Sequence, residues 1–182
     1  MVPTAEDCYK LMDKYGMLDN IKAHSIVVEK VARIIAKGFI EAGIDLSLEK
    51  VTAGALMHDI GKTLCLNTQI DHAPKGKEIC LRNNLEEIAE IVDEHITLQN
   101  YDKDGPVQEK EIIYYSDKRV NHDTVVSLDE RLVYLLGRYA QSSEEMAHII
   151  RENIERCREV EKKLFAVLEF TPEELAVMIQ QE

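Results

Sequence analysis

The chain has 182 residues, 45% of them hydrophobic and 31% charged, which is enough for one well-filled domain and excludes a short peptide or a disordered tail. Only 4 Pro, 8 Gly, 7 Tyr, 3 Phe and no Trp occur, so the composition leans to helix and away from a turn-rich sandwich. A balance of 22 Lys+Arg against 34 Asp+Glu gives a formal charge of −12, which disfavours a long nucleic acid or an anionic membrane surface as partner.

In chain order, Ile26, Val27, Val31, Ile34 and Ile35 mark one face of a helix over about 21–42, stopped by Gly43. Ser47 caps a second helix through Leu48, Val51, Ala55 and Leu56, with Gly61 just beyond its end. Asn84-Leu85-Glu86-Glu87 reads as a capping box opening a helix toward His95. Residues 100–106 form a loop by their turn chemistry, and Ile112 and Ile113 lie on a helix reaching Asp117. Thr124-Val125-Val126 is a short extended piece. Ser127-Leu128-Asp129-Glu130 opens the next helix, and Ser142-Ser143-Glu144-Glu145 opens a long charged one to about Glu169. Thr171-Pro172 places a cap and a first-turn proline on a short terminal helix. The expected fold class is all-α, a single domain over 1–182 with a metal-binding core at about 20–122 and additional C-terminal helices over 123–182.

The cysteines, Cys8, Cys65, Cys80 and Cys157, form no CxxC pair, and the N-terminus carries no basic segment followed by a long apolar one. The thiols are therefore read as reduced and the chain as cytoplasmic. No run reaches the roughly 18 apolar residues that a membrane span requires.

Four of the six histidines fall between positions 24 and 95. His58 and Asp59 are adjacent where an apolar helix is about to end. Neighbours within a regular helix diverge by about 100°, but at a terminus followed by Gly61 both side chains can converge on one ion. His24 stands on an otherwise apolar helix, and Asp117 is a carboxylate at the end of another apolar run.

This ordered set, with the stretch Ala55-Leu56-Met57-His58-Asp59-Ile60-Gly61-Lys62, resembles the HD-domain superfamily of the HDIG type over roughly 23–119. In its binuclear branches a His followed four residues later by Gly opens a helix, and another His closes the helix after it. His72 with Gly76, and His95, match those positions. The resemblance implies an HD helical bundle and a two-metal site of His24, His58, Asp59, His72, His95 and Asp117, with Asp59 bridging. The chain lacks the second His and the Gly-Tyr-Pro run of the cyclic-di-nucleotide phosphodiesterases after its His95. It also lacks the Glu that deoxynucleotidases carry shortly after their His-Asp pair. The layout is nearer to the symmetrical dinucleoside-tetraphosphate hydrolases.

Four imidazoles and two carboxylates suit Fe, Mn, Zn, Co or Ni better than a hard ion. Two such divalent transition ions, about 3.5–4 Å apart, would make hydroxide available near neutral pH and stabilise charge on phosphate oxygens. The expected function is a metal-dependent phosphohydrolase cleaving a small phosphate ester, nucleotide or dinucleotide by metal-activated hydroxide. Asp59 and Lys62 are its expected catalytic residues, Lys62 as a phosphate contact. Arg82, Lys75, Lys77 and Lys118 are weaker phosphate contacts, and His122 is a leaving-group acid or pocket residue. His148 reads as surface. A di-iron HD-type oxygenase and a non-catalytic metal-binding regulatory module are the alternatives. Expected partners are a small phosphorylated substrate and, for assembly, a homo-oligomer.

Overall fold

The structure is a computed structural model and describes residues 1–68 and 70–181. Its elements in order are α1 (Ala5–Lys14), α2 (Asp19–Glu41), α3 (Leu48–Met57), α4 (Lys62–Cys65), α5 (His72–Arg82), α6 (Glu86–Glu94), α7 (Glu109–Lys118), β1 (Val120–Asn121), β2 (Thr124–Val125), α8 (Leu128–Tyr139), α9 (Glu144–Phe165), a 3-10 turn (Pro172–Glu174) and α10 (Leu175–Met178). The fold is helical, as the composition requires. Its one sheet among the described residues is the β1–β2 hairpin, with Val120 opposite Val125 and Asn121 opposite Thr124.

Helix α3 is buried nearly all round, through Val51, Ala53, Ala55, Leu56 and Met57, so it must sit at the centre of the bundle. α2, α1, α6 and α7 pack around it, and α5 packs on α6. Two apolar clusters result. One lies among α1, α3, α5 and α6, around Met12, Leu56, Ile79 and Ile88. The other lies among α2, α7 and α9, around Phe39, Ile112, Tyr115 and Ile154. The last of these helices buries Ala147, Ile150, Ile154, Cys157, Val160 and Leu164, a stripe at spacings of three and four that faces α7.

Most helix ends follow the expected caps. Ser47 accepts from the Lys50 N–H, Ser127 and Glu130 make a reciprocal capping box, and Ser143 accepts from Met146. Three details differ. α1, with its own Thr4–Asp7 capping box, precedes the first helix read from the sequence. α9 stops at Phe165, four residues before Glu169.

Asn84 does not cap α6. It takes φ +58 at the end of α5, where its N–H donates to Leu81 O (3.2 Å) and that of Leu85 to Cys80 O (3.0 Å). Those two bonds make a Schellman termination, and asparagine tolerates the left-handed backbone it needs. The cap of α6 is Leu85, without a side-chain bond.

Two glycines set how closely α5 approaches the end of α3. A Cβ on Gly61 would lie 2.4 Å from His72 O and 2.8 Å from Gly76 N, and one on Gly76 would lie 2.6 Å from Val92 Cγ1. Only glycine lets these backbones meet at that distance. The contact carries His72 up to Asp59.

Candidate metal centre

α2 supplies His24 from its second turn, on the buried face that continues through Ser25, Val28 and Val31. His58 is the C-cap of α3, and Asp59 follows in the turn closed by the Lys62 N–H to Asp59 O bond (2.9 Å). His72 begins α5, His95 ends α6, and Asp117 lies in the last turn of α7. Helix termini therefore provide five of the six positions, which is how residues adjacent in sequence escape the 100° divergence of a regular helix.

These six side chains converge. His24 Nε2 lies 3.0 Å from Asp117 Oδ1, while His58 Nε2 is 3.5 Å from Asp59 Oδ2 and 3.6 Å from Asp117 Oδ1. On the other side, Asp59 Oδ1 is 3.1 Å from His72 Nε2 and 3.6 Å from His95 Nε2. The two groups with metal-holding geometry are His24, His58 and Asp59, and Asp59, His72 and His95. Asp59 belongs to both.

The imidazoles are oriented from behind by main-chain carbonyls. Nδ1–H of His24 donates to His122 O (2.8 Å), that of His58 to Ala55 O (2.6 Å) and that of His95 to Val92 O (2.6 Å). A carbonyl only accepts, so each of these rings carries a proton on Nδ1, and in its neutral form it turns a bare Nε2 lone pair inward. Those lone pairs face carboxylate oxygens, acceptor against acceptor, and the fully buried His58 Nε2 has no hydrogen-bond partner. A cation placed among them removes this repulsion and satisfies the orphaned atom. The donor set fits a divalent transition metal.

Electrostatics agree with a site built for positive charge. Burial would raise the Asp59 carboxyl, but His58, Lys62, His72 and His95 hold it well below the usual carboxylate range. Burial likewise opposes ionisation of Asp117, and Lys118, His24, His58 and Arg131 outweigh it, holding that carboxyl well below the usual range. Desolvation pushes His95 down to about 4. His58 is also desolvated, yet Asp59, Asp117 and the Ala55 carbonyl carry it upward.

Of the expected phosphate contacts, Lys62 reaches the cluster, with Nζ 2.7 Å from Asp59 Oδ2. Lys75, Lys77 and Arg82 do not, being paired with Glu78, Asp93 and Glu78. Lys118 is buried against the cluster, donating to the His95 and Ile96 carbonyls and lying 3.4 Å from Asp117 Oδ2. His122 contributes its carbonyl to His24, and its ring packs edge-on against Tyr134 at the wall of a small side cavity. His148 pairs with Glu152 on the surface of α9.

Arg131 was not foreseen. It enters from the first turn of α8, bonds Asn121 Oδ1 (2.6 Å) and ends 3.9 Å from Asp117 Oδ1, with its Nε buried and unpaired. Its only sequence signal is its place four residues after the cap Ser127. A cavity of about 400 Å³ opens on the cluster between α4, α8 and α9.

The family model of the HD domain matches residues 21–179. The chain belongs to the HD-domain family. Metal-dependent phosphohydrolysis is the general chemistry of that family, and the matched stretch runs through the C-terminal helices and includes Arg131. Among curated proteins, the chain is similar to two enzymes named tRNA (cytidine(56)-2'-O)-methyltransferase. Identity is 37% over 97 residues for that of Thermoplasma volcanium and 32% over 142 residues for that of Picrophilus torridus, covering 53% and 71% of this chain. The matched stretches span only 27% and 40% of those proteins. It is also 39% identical over 75 residues to ribonuclease Y of Mycoplasma mycoides, covering 41% of this HD chain and 16% of the relative. No solved structure matches the chain significantly. Among the described residues no helix is long and apolar enough to cross a membrane.

Proposed function

We propose that the chain is a binuclear metal-dependent phosphohydrolase acting on a small phosphate ester, nucleotide or dinucleotide. One ion would be held by His24, His58, Asp59 and Asp117, the other by Asp59, His72 and His95. The observation that carries this reading is the division of Asp59, whose Oδ2 faces His58 and whose Oδ1 faces His72 and His95.

Divalent ions at such a site supply the charge that acidifies water and neutralises a phosphoryl group. The chain's own residues do the rest. Asp59 and Asp117 stay ionised, and the three carbonyl-anchored rings hold Nε2 forward without reorganisation. Lys62 and Arg131 bring fixed positive charge to the open side of the cluster, where the non-bridging oxygens of a phosphate would lie. The cavity lining carries Lys62, Lys118 and Arg131 against two carboxylates, Asp59 and Asp117, among the described residues. In a chain of charge −12 this is a local exception suited to an anion. Residues 1–182 act as one unit in this reading, because the segment beyond 123 supplies Arg131 and much of the cavity wall.

The relatives named for tRNA methylation and for a ribonuclease favour a nucleotide or a short RNA end within that substrate class. The acidic surface argues against a long strand.

Metal analysis joined to a screen of phosphate esters and nucleotides tests the proposal, using protein loaded with Mn, Fe, Co, Ni or Zn. About two equivalents of ion and release of phosphate or nucleotide product are expected, with both lost in the His58→Ala/Asp59→Ala variant. Full metal retention by that variant overturns the site. Oxygen uptake by the reduced iron form, without hydrolysis of any ester, overturns the reaction.

A further inference from the structure

The cavity over the cluster has two unlike ends. Its floor is the ionic set described above, and its outer wall is made of Leu66 and Ile70 after α4, Leu135 of α8, and Met146, Ile149 and Ile150 of α9. Four of these are held open to water, Leu66 at 47%, Ile70 at 63%, Met146 at 40% and Ile149 at 49% exposed. Large aliphatic side chains from separate segments, converging above one anion-binding floor, bury apolar area as soon as that space is filled.

Hydrogen-bonding capacity along this wall is low. Asn153 is partly engaged, one amide N–H donating to Ile96 O (2.8 Å) and its Oδ1 accepting from the Tyr114 hydroxyl. The Cys65 thiol points to Asp71 O. Along this wall the described side chains that could address a polar group beyond the phosphate are Asn153 and, at the rim, Tyr139.

We infer that the substrate is a phosphate monoester of an apolar alcohol, chosen by burial of its apolar surface against the aliphatic wall. This rests on the phosphohydrolase proposal. The ionic floor takes the phosphate, and Leu66 and Ile70 on one side and Met146, Ile149 and Ile150 of α9 on the other flank the apolar group.

The experiment compares two alkyl esters of equal charge, 1-naphthylmethyl phosphate and glycerol phosphate, and two non-hydrolysable probes, naphthylphosphonate and methylphosphonate. The chain has no Trp, so naphthyl fluorescence reports binding without tryptophan background. A preference of about tenfold or more for the naphthyl compound is expected in kcat/KM and in probe affinity. Ile149→Asp should bring both ratios toward one. Val133→Asp, an equally acidic change at a 73% exposed position of α8 outside the cavity lining, should leave them.

Equal affinity for the two phosphonates overturns the inference, and the phosphohydrolase reading then stands if metal content and phosphate release persist. Absence of metal and of all hydrolysis, with the naphthyl preference intact, overturns the phosphohydrolase reading instead. A dimer that Ile149→Asp dissociates, with probe preference unchanged, assigns the wall to a second copy of the chain and overturns the inference.

Discussion

Asp59 is 1% exposed and meets two imidazoles on one oxygen and a third imidazole with Lys62 on the other. A buried carboxylate so placed is costly unless its charge is matched; Lys62 supplies one positive charge, and a cation among the three rings would supply more. The same logic makes Arg131 more than a surface residue, since its unpaired Nε is buried beside Asp117. Replacing Lys62 or Arg131 by Met removes a charged donor from the phosphate end of the cavity. We expect kcat/KM to fall about a hundredfold in either variant with bound metal unchanged, measured by steady-state hydrolysis and elemental analysis. Loss of metal in either variant would make that residue a support of the ions instead. The convergence of the six histidine and aspartate positions was legible because five of them close or open an apolar run and the order of all six resembles a known pattern. Arg131 was not, because a charged side chain in the first turn of a helix usually faces water, and only the packing of α8 beside Asp117 turns this one inward.

Short contacts between elements fix the site as firmly as the ionic residues themselves. The Gly61–His72 approach brings the start of α5 against the end of α3, and the Gly76–Val92 approach packs α5 on α6. Gly61→Ala pushes a methyl group into backbone, so we expect a loss of about 1–3 kcal/mol in stability. His72 should also move away from Asp59, and bound metal should fall from two ions toward one. Thermal unfolding and metal stoichiometry of the same preparation check both. The Ser127–Glu130 capping box starts the helix that carries Arg131. Ser127→Ala should cost about 1 kcal/mol and lower Tm by about 2–4 °C, checked by calorimetry.

Such caps were legible because Ser or Thr followed three residues later by an acid has one structural use. Asn84 had two. The residue accepted in an N-cap also accepts a left-handed backbone, and only the bonds from Asn84 and Leu85 back into α5 decide between them. α1 was passed over because it buries only Cys8 and Met12, too sparse a stripe to announce a helix. The Leu66–Ile70 wall was illegible for a related reason, since exposed aliphatic residues scattered along a sequence mean nothing until the fold gathers them.

At the scale of the whole molecule, charge and metal pull in opposite directions. The formal −12 is spread over the surface, while the cavity gathers Lys62, Lys118 and Arg131. A single-stranded RNA of many nucleotides should therefore not bind measurably near physiological salt, as read by fluorescence anisotropy. Strongly salt-dependent binding would place a polyanion path on a surface that the charge distribution argues against. Chelation of the ions should lower Tm, and returning metal should raise it with concentration, the unfolding free energy gaining about 2.7 kcal/mol at a hundred times Kd. The His24 bond to His122 gives that stabilisation a particular route. It joins the ring of α2 to the carbonyl at the turn of the β1–β2 hairpin, 98 residues away in sequence. An ion that fixes His24 thereby latches the turn, so the amide protons of residues 120–125 should exchange with deuterium more slowly in the loaded protein. A two-stranded ribbon too small to be stable by itself becomes a reporter of occupancy at a centre it does not line with a single side-chain ligand.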